Sequence, residues 1–286
     1  MLVNLKEILE IAEEKKIAVG CFNAPNLTSI RAIIKAAEEL NQPISLTHAQ
    51  LHEERGLVTM GESLSMMLWF AKNTKIPVCI HLDHGTDIDY IRKGLEMGFT
   101  SVMYDGSELP LEENIANTKT VVEMAKNYGA SVEAELGSMG ARQGGFGGAT
   151  TASSSDTRVS GYTDPATAED FVKETGVDAL ACAFGTAHGF YSGTPKLDFE
   201  RVSALSEAMN GLPIVMHGGS GVSTEDYHEV IRRGVRKVNY YTYMAKAGAE
   251  AISNKTYTQF HDVLADAEEA MRINILDAIK VFSNIN

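Results

Sequence analysis

Four of the eight histidines in this 286-residue sequence fall in three short glycine-containing motifs: His81-Leu-Asp83-His84-Gly85, Gly185-Thr-Ala-His188-Gly189 and His217-Gly-Gly-Ser220-Gly221. Each motif follows an apolar, β-prone run. Imidazoles arriving from three separate segments suit Zn²⁺, whose catalytic sites commonly take three protein ligands and leave a fourth position for substrate. A hydrogen-bonded structural role fits any one of these histidines equally well. For His84, His188 and His217 together, each directly beside a glycine, the metal reading is the stronger. Asp83 adjoins a ligand and is a candidate proton donor or acceptor. Asp105, in Asp105-Gly-Ser107, and Glu135, in Glu133-Ala-Glu135, are candidates to support the ligands or to hold the ion in another position. A polar network inside the fold would use the same two residues.

Gly218-Gly219-Ser220-Gly221 offers a second kind of chemistry. It runs into a predicted helix, whose N-terminal N–H groups and dipole favour an anion. Ser220 and Thr242 add hydroxyl donors, and Gly189 stands opposite, so phosphate is the expected anion.

The elements that must converge these residues alternate along the chain. β-prone runs occupy 17–23, 43–48, 76–82, 100–104, 130–136, 177–184, 212–217 and 235–240. Amphipathic helical patterns occupy 27–41, 59–74, 86–97, 111–128, 165–175, 198–210, 223–233 and 243–254, several opened by a capping residue such as Thr28, Asp87 or Ser223. Such alternation implies a parallel sheet. Eight units without a composition break predict an α/β fold, a closed (β/α)₈ TIM barrel built as one domain over residues 1–286. A doubly wound sheet is the competitor, but the first unit lacks its G-x-G-x-x-G turn. The pattern at 5–15 predicts an extra N-terminal helix, and 258–284 predicts one or two C-terminal helices, a packing or oligomer element. In a barrel, catalytic groups sit where strands end and βα loops begin, and phosphate commonly sits after strands seven and eight. The motifs fall at those places.

Residues 137–161 carry seven glycines and neither helical nor strand periodicity. A connection of this length within a compact domain is expected to be a lid or binding loop. Arg142 within it is a candidate partner for a second phosphate or a carboxylate, or else a solvated loop residue.

The formal net charge of −13 and pI of about 5.1 argue against nucleic-acid or membrane surfaces as partners, because both recruit Lys and Arg clusters. Cys21, Cys79 and Cys182 are widely spaced in apolar runs and read as buried free thiols of a reducing compartment. The N-terminus lacks the pattern of a signal peptide, and the expected localisation is cytoplasmic.

Over nearly its whole length the sequence resembles the class II, zinc-dependent ketose-bisphosphate aldolases, which include the fructose- and tagatose-bisphosphate enzymes. The resemblance is carried by HLDHG at 81–85, FTSVMYDGSELPLEENI at 99–115, VEAELG at 132–137, YTDP at 162–165, TGVDALACAFGTAHGFY at 175–191, PKLDF at 195–199 and HGGSG at 217–221. It implies a TIM barrel, one Zn²⁺ per chain on His84, His188 and His217, and Asp83 as the acid/base at the aldehyde-side hydroxyl. It further implies Glu135 and Asp105 near an alternative metal position and Asn23 holding the substrate. Phosphate would be bound through Gly189, Gly218, Ser220, Asn239 and Thr242, beside a monovalent cation such as Na⁺ or K⁺. A small phosphorylated sugar is the implied partner, cleaved to dihydroxyacetone phosphate and an aldehyde, and a homodimer or homotetramer is the implied assembly.

Three positions depart from the family pattern. The lid signature Gly-Gly-x-Glu-Asp reads Gly140-Ala141-Arg142-Gln143-Gly144, so Gln143 replaces a glutamate that moves protons. Ala49 stands where a phosphate-contacting Ser is usual, beside His48. The strand-eight motif, usually Asn-x-Asp-Thr, reads Asn239-Tyr240-Tyr241-Thr242. Together they imply a changed substrate or proton route, with His48, His52 and Asp156 as candidate substitutes for the missing acid/base. An epimerase on the same scaffold, or a non-catalytic sugar-phosphate-binding barrel, is the alternative.

Overall fold

The computed structural model describes residues 1–137, 161–191 and 193–285. The chain opens with a two-residue strand, β1 (Leu2–Val3), and then lays down eight parallel strands that close into a barrel. These are β2 (Val19–Asn23), β3 (Ile44–Ala49), β4 (Val78–Gly85), β5 (Ser101–Tyr104), β6 (Ser131–Leu136), β7 (Ala179–Cys182), β8 (Ile214–Met216) and β9 (Val235–Tyr240). Each pairs with the next, and β9 returns to β2 through the register Cys21↔Asn239. All eight β-prone runs thus became barrel strands, and the expected (β/α)₈ barrel is the fold.

Helices α1 (Leu5–Lys15) and α2 (Leu27–Leu40) are followed by a short α3 (Gln50–Glu54) and α4 (Met60–Asn73). Then come α5 (Ile88–Met97), α6 (Leu111–Lys126), α7 (Pro165–Thr175), α8 (Phe199–Ala208), α9 (Thr224–Arg232), α10 (Thr242–Ser253) and α11 (Phe260–Phe282). Their starts follow capping chemistry: Asp87 caps α5 and Ser223 caps α9 through side-chain bonds to backbone N–H groups. At α2 the cap is Asn26, which accepts from the Ser29 N–H at 2.9 Å, so Thr28 lies inside the first turn and is not the cap. The helical tail is the single α11, packed along α2 and α10, with its Phe282 carbonyl accepting from the Ala18 N–H at the entrance to β2.

Two cores lie on either side of the strands. The larger fills the space between the strands and the outer helices, with Phe22, Leu46, Ile80, Leu82, Phe171 and Phe184 all buried. The smaller lies inside the barrel and is completed by α1, whose Leu5, Ile8, Leu9 and Ala12 meet Val19, Cys79, Ala179, Ala181 and Val215. The extra N-terminal helix is therefore a plug for one end of the barrel. Short β1 extends the sheet beside the first residues of β4, pairing Leu2 with Val78 and Val3 with Cys79, and leads the chain into that plug. Its two residues are too few to show a strand period in sequence.

Above the plug the barrel interior turns polar, which is where the candidate chemistry lies. The plug keeps water out from the opposite end. Ile8→Ala, at a fully buried position, should lower unfolding free energy by about 2–5 kcal/mol through lost burial and a residual cavity. Urea titration measures this, and a loss below about 1 kcal/mol would show that α1 is not part of the barrel core.

Candidate active site

Asp83 and His84 are consecutive, and in a regular strand they would face opposite sides of the sheet. The register between β4 and β5 shifts between Leu82 and Gly85, and His84 takes a left-handed φ of 47°. That local break lets both side chains reach the barrel mouth. A left-handed non-glycine residue costs of order 1–3 kcal/mol and persists where the surroundings hold it. Here Asp105, just after β5, holds it: His84 Nδ1 lies 2.8 Å from Asp105 Oδ2.

The donor and acceptor roles around the imidazoles follow from the carboxylates. Burial works against ionisation of Asp105, but the His84 contact outweighs it and keeps this carboxyl well below the usual range. Burial likewise opposes ionisation of Glu133, and Lys237 and His217 reverse it, to about 2. An ionised carboxylate only accepts hydrogen bonds. His84 Nδ1–H therefore donates to Asp105, and His217 Nε2–H donates to Glu133 Oε1 at 2.9 Å. The remaining nitrogens, His84 Nε2 and His217 Nδ1, face each other 2.9 Å apart. Two imidazole lone pairs at that distance need a cation between them.

A third nitrogen points the same way. His188 Nε2 is buried with no hydrogen-bond partner, which is costly unless something satisfies it. The His84, His188 and His217 nitrogens lie within 4.8 Å of one another. Without a metal, a proton on His84 fills the role. Burial disfavours its imidazolium, but Asp83 and Asp105 prevail and raise it to about 10. Burial lowers His217 and takes His188 to about 3. The donor set thus fits a divalent metal, and three imidazoles suit Zn²⁺.

Asp105 and Glu135 sit behind His84 and form with it another group of potential ligands within 4.8 Å. Glu135 Oε2 lies 3.9 Å from His84 Nδ1 and 3.7 Å from His217 Nδ1. Burial and the neighbouring Asp105 hold Glu135 well above the usual carboxylate range. Asp83 behaves oppositely. Burial opposes its charge, but His84, His217 and Lys237 keep it ionised. It accepts from Asn239 Nδ2 at 3.1 Å and Asn23 Nδ2 at 3.5 Å.

An open cleft lies over this group. Asn23, Gly189, Gly218, Ser220, Asn239 and Thr242, the six expected substrate contacts, all line it, together with Asp83, His84 and His188. The loops after β7, β8 and β9 are tied together. The Tyr191 hydroxyl accepts from the Ala187 N–H and donates to the Gly218 carbonyl, each at 2.8 Å, and Ser220 Oγ accepts from the Tyr241 N–H at 3.2 Å. Gly218, at φ 63°, has no room for a side chain: a Cβ would lie 2.5 Å from the Ala187 carbonyl oxygen.

Gln143, Arg142 and Asp156, with most of the expected lid, lie outside the described residues. His48 and His52, expected as substitute acid/base groups, are buried and absent from the cleft lining. His48 Nε2 pairs with the Tyr90 hydroxyl at 2.8 Å, and His52 packs behind Tyr241, ring centres 6.0 Å apart. Tyr241 itself lines the cleft. Glu133, His81 and Lys237, which carry no expected role from sequence, are all fully buried beneath the site. The signal was there in strand alternation: 133 shares a face with 135, 81 with 83, and 237 with 239.

Comparison with known proteins gives the chain's family. Residues 3–286 match the family described as fructose-bisphosphate aldolase class-II. The chain is 37% identical over 294 aligned residues to the fructose-bisphosphate aldolase of Staphylococcus aureus (strain Mu50 / ATCC 700699), covering 100% of this chain and 98% of the relative. It is 36% identical to the probable fructose-bisphosphate aldolase of Bacillus subtilis (strain 168), covering 100% and 99%. Among solved structures, the YdjI aldolase from Escherichia coli K12 superposes with a TM-score of 0.86 at 31% identity, covering 99% of this chain and 97% of that one.

The buried imidazoles predict acid lability. Burial first of all depresses His48 and His52 to about 4, and His81 and His188 to about 3. Below pH 6.5 the unfolded chain therefore binds more protons, and stability is lost as pH falls from about 6.5 toward 4. Glu135 and His84, both raised, run the other way and offset part of this. Metal-stripped protein should have a lower urea midpoint at pH 5 than at pH 7; an equal or higher one would contradict these protonation states.

Proposed function

The chain belongs to the class-II fructose-bisphosphate aldolase family, and from that premise we propose that His84, His188 and His217 hold a single Zn²⁺ and that Asp83 is the acid/base of the reaction. The protein is an aldolase, a carbon–carbon lyase acting on a phosphorylated ketose of the fructose- or tagatose-bisphosphate type and releasing dihydroxyacetone phosphate and an aldehyde. The observation carrying the metal assignment is the pair of imidazole nitrogens facing each other at 2.9 Å, with the unpartnered His188 Nε2 beside them. Bound there, the metal would act as a Lewis acid toward the charge that develops on the ketose half.

The chain's own residues do the rest. Asp83, ionised and in the cleft lining, takes the proton from the hydroxyl on the aldehyde side of the scissile bond. That oxygen becomes the aldehyde carbonyl as the carbon–carbon bond breaks, and the bonding pair moves onto the ketone half as an enediolate, which becomes dihydroxyacetone phosphate once its carbon takes up a proton. In the reverse direction Asp83 returns the proton. Asn239 and Asn23 aim Asp83 by donating to its two oxygens. The phosphate of the ketone half is bound by Gly189, Gly218, Ser220, Asn239 and Thr242, where α10 begins at the cleft wall and backbone N–H groups favour an anion. A monovalent cation, Na⁺ or K⁺, accompanies it. Asp105 orients His84, and Glu135 supports an alternative metal position. In the proposed lid, Gln143 cannot exchange a proton as a carboxylate does, and Arg142 is the candidate partner for a second phosphate or a carboxylate.

No helix among the described residues is long and apolar enough to cross a membrane, and a cytoplasmic location is proposed. A homodimer or homotetramer is supported by Phe260, Leu264 and Ile273, which remain exposed along α11.

Purified protein should carry about one zinc per chain. His188→Ala should lose the metal, whereas Asp83→Ala should keep it and lose at least about a hundredfold in turnover. A panel of ketose phosphates that includes fructose and tagatose 1,6-bisphosphates, assayed with and without chelator, reads triose phosphate release. Chelator-sensitive release is expected. Full turnover by Asp83→Ala, or release unaffected by chelation, would refute the assignment.

A further inference from the structure

Lys237 lies in the middle of β9 with its side chain inside the barrel and fully buried. Lysine is almost never buried unless paired, and here it has two partners. Its Nζ lies 2.9 Å from Glu133 Oε2 and donates to Asn239 Oδ1 at 2.7 Å. It is not part of the cleft lining, so it acts through these neighbours. We propose that Lys237 is a positioning residue that fixes which way the donors and acceptors point around both the metal position and Asp83.

An ammonium has three donors and no acceptor, and an ionised carboxylate only accepts. Asn239 stands between one of each. Because Lys237 takes its Oδ1, the carboxamide must turn its Nδ2 to Asp83 Oδ1, 3.1 Å away. The opposite flip would aim an oxygen at the Asp83 carboxylate. It would also put that oxygen 3.3 Å from His217 Nε2, where Asn239 Nδ2 now lies, in competition with Glu133 for the same N–H. The second arm runs through Glu133. Lys237 pairs with Oε2, leaving Oε1 to accept from His217 Nε2 at 2.9 Å. That choice of tautomer is what turns His217 Nδ1 toward His84. One ammonium thus orients a metal-ligand imidazole on one side and the acid/base carboxylate on the other. Four carboxyl groups, Asp83, Asp105, Glu133 and Glu135, gather in this interior, and Lys237 is the one lysine or arginine buried among them in the described residues.

This rests on the aldolase reading, but its first readout needs no substrate. In Lys237→Met the zinc dissociation constant, measured by competition with a chromophoric chelator, should rise about tenfold or more, as removal of outer partners of metal ligands does. At saturating zinc, kcat for whichever panel ketose phosphate is cleaved fastest should fall by a similar factor, while KM changes by less than threefold. Circular dichroism and a cooperative thermal transition establish that the variant is folded. If it does not fold, Glu133→Gln/Lys237→Met, which removes both charges, replaces it with Glu133→Gln as reference. The pair should then lose a further tenfold in kcat through the Asn239 arm. The proposal is overturned if zinc affinity or kcat in folded Lys237→Met stays within threefold of the unaltered protein, if zinc binds more tightly, or if the loss lies in KM. In the double variant, a kcat within threefold of Glu133→Gln overturns it. A chain that binds zinc but cleaves nothing in the panel would instead fault the aldolase reading, and the zinc readout would still decide the role of Lys237.

Discussion

A neutral imidazole has one N–H to give, and in this barrel both His84 and His217 give theirs away from each other. Asp105 takes one and Glu133 the other, leaving two lone pairs face to face across 2.9 Å. The arrangement holds only while both carboxyls stay ionised, out of water and fixed in place. That demand explains much of the surrounding structure. The barrel supplies burial, α1 seals its far end, and Lys237 supplies the positive charge without which Glu133 would be a buried, unpaired carboxylate. The site is thus polarised toward a cation before any substrate arrives.

The same constraint separates local charge from net charge. With −13 overall, the protein attracts no anion at long range, yet the proposed substrate is phosphorylated. The proposed contacts are short-ranged: backbone N–H groups of the glycine loop after β8, the start of α10, hydroxyls of Ser220 and Thr242, and the proposed metal on the imidazoles, all at the one cleft. The tyrosine bridge from Ala187 to Gly218 and the Ser220–Tyr241 contact lock three loops into one wall, so these weak donors converge. Tyr241, at the position where the family motif usually has Asp, gives that wall an aromatic border.

Sequence alone was enough to place the barrel, since each strand carries its own apolar run and each helix its own amphipathic period. The three histidines and Asp83 were legible because glycine-flanked polar residues at strand ends are conspicuous. Other features were invisible for physical reasons. Two-residue β1 and five-residue α3 are too short to show a period. The break at His84 leaves no compositional trace, although without it Asp83 and His84 could not share a site. Lys237 reads as an ordinary strand lysine until β6 and β9 are seen to cross the same interior. Asp105 and Glu135 left two readings open, and they sit differently: Asp105 is hydrogen-bonded to His84 Nδ1, whereas Glu135 Oε2 lies 3.9 Å and 3.7 Å from the Nδ1 atoms of His84 and His217. His48 and His52, the expected stand-in acids, are buried and do not line the cleft.

The central question is which atoms bind the metal. Anomalous diffraction at the zinc absorption edge, on crystals of the zinc-loaded protein, tests it most directly. The expected result is one strong peak within bonding distance of His84 Nε2, His188 Nε2 and His217 Nδ1, with Glu133 still on His217 Nε2. A peak bound through His217 Nε2, or one seated on His81, Asp83 and Glu133, would contradict it.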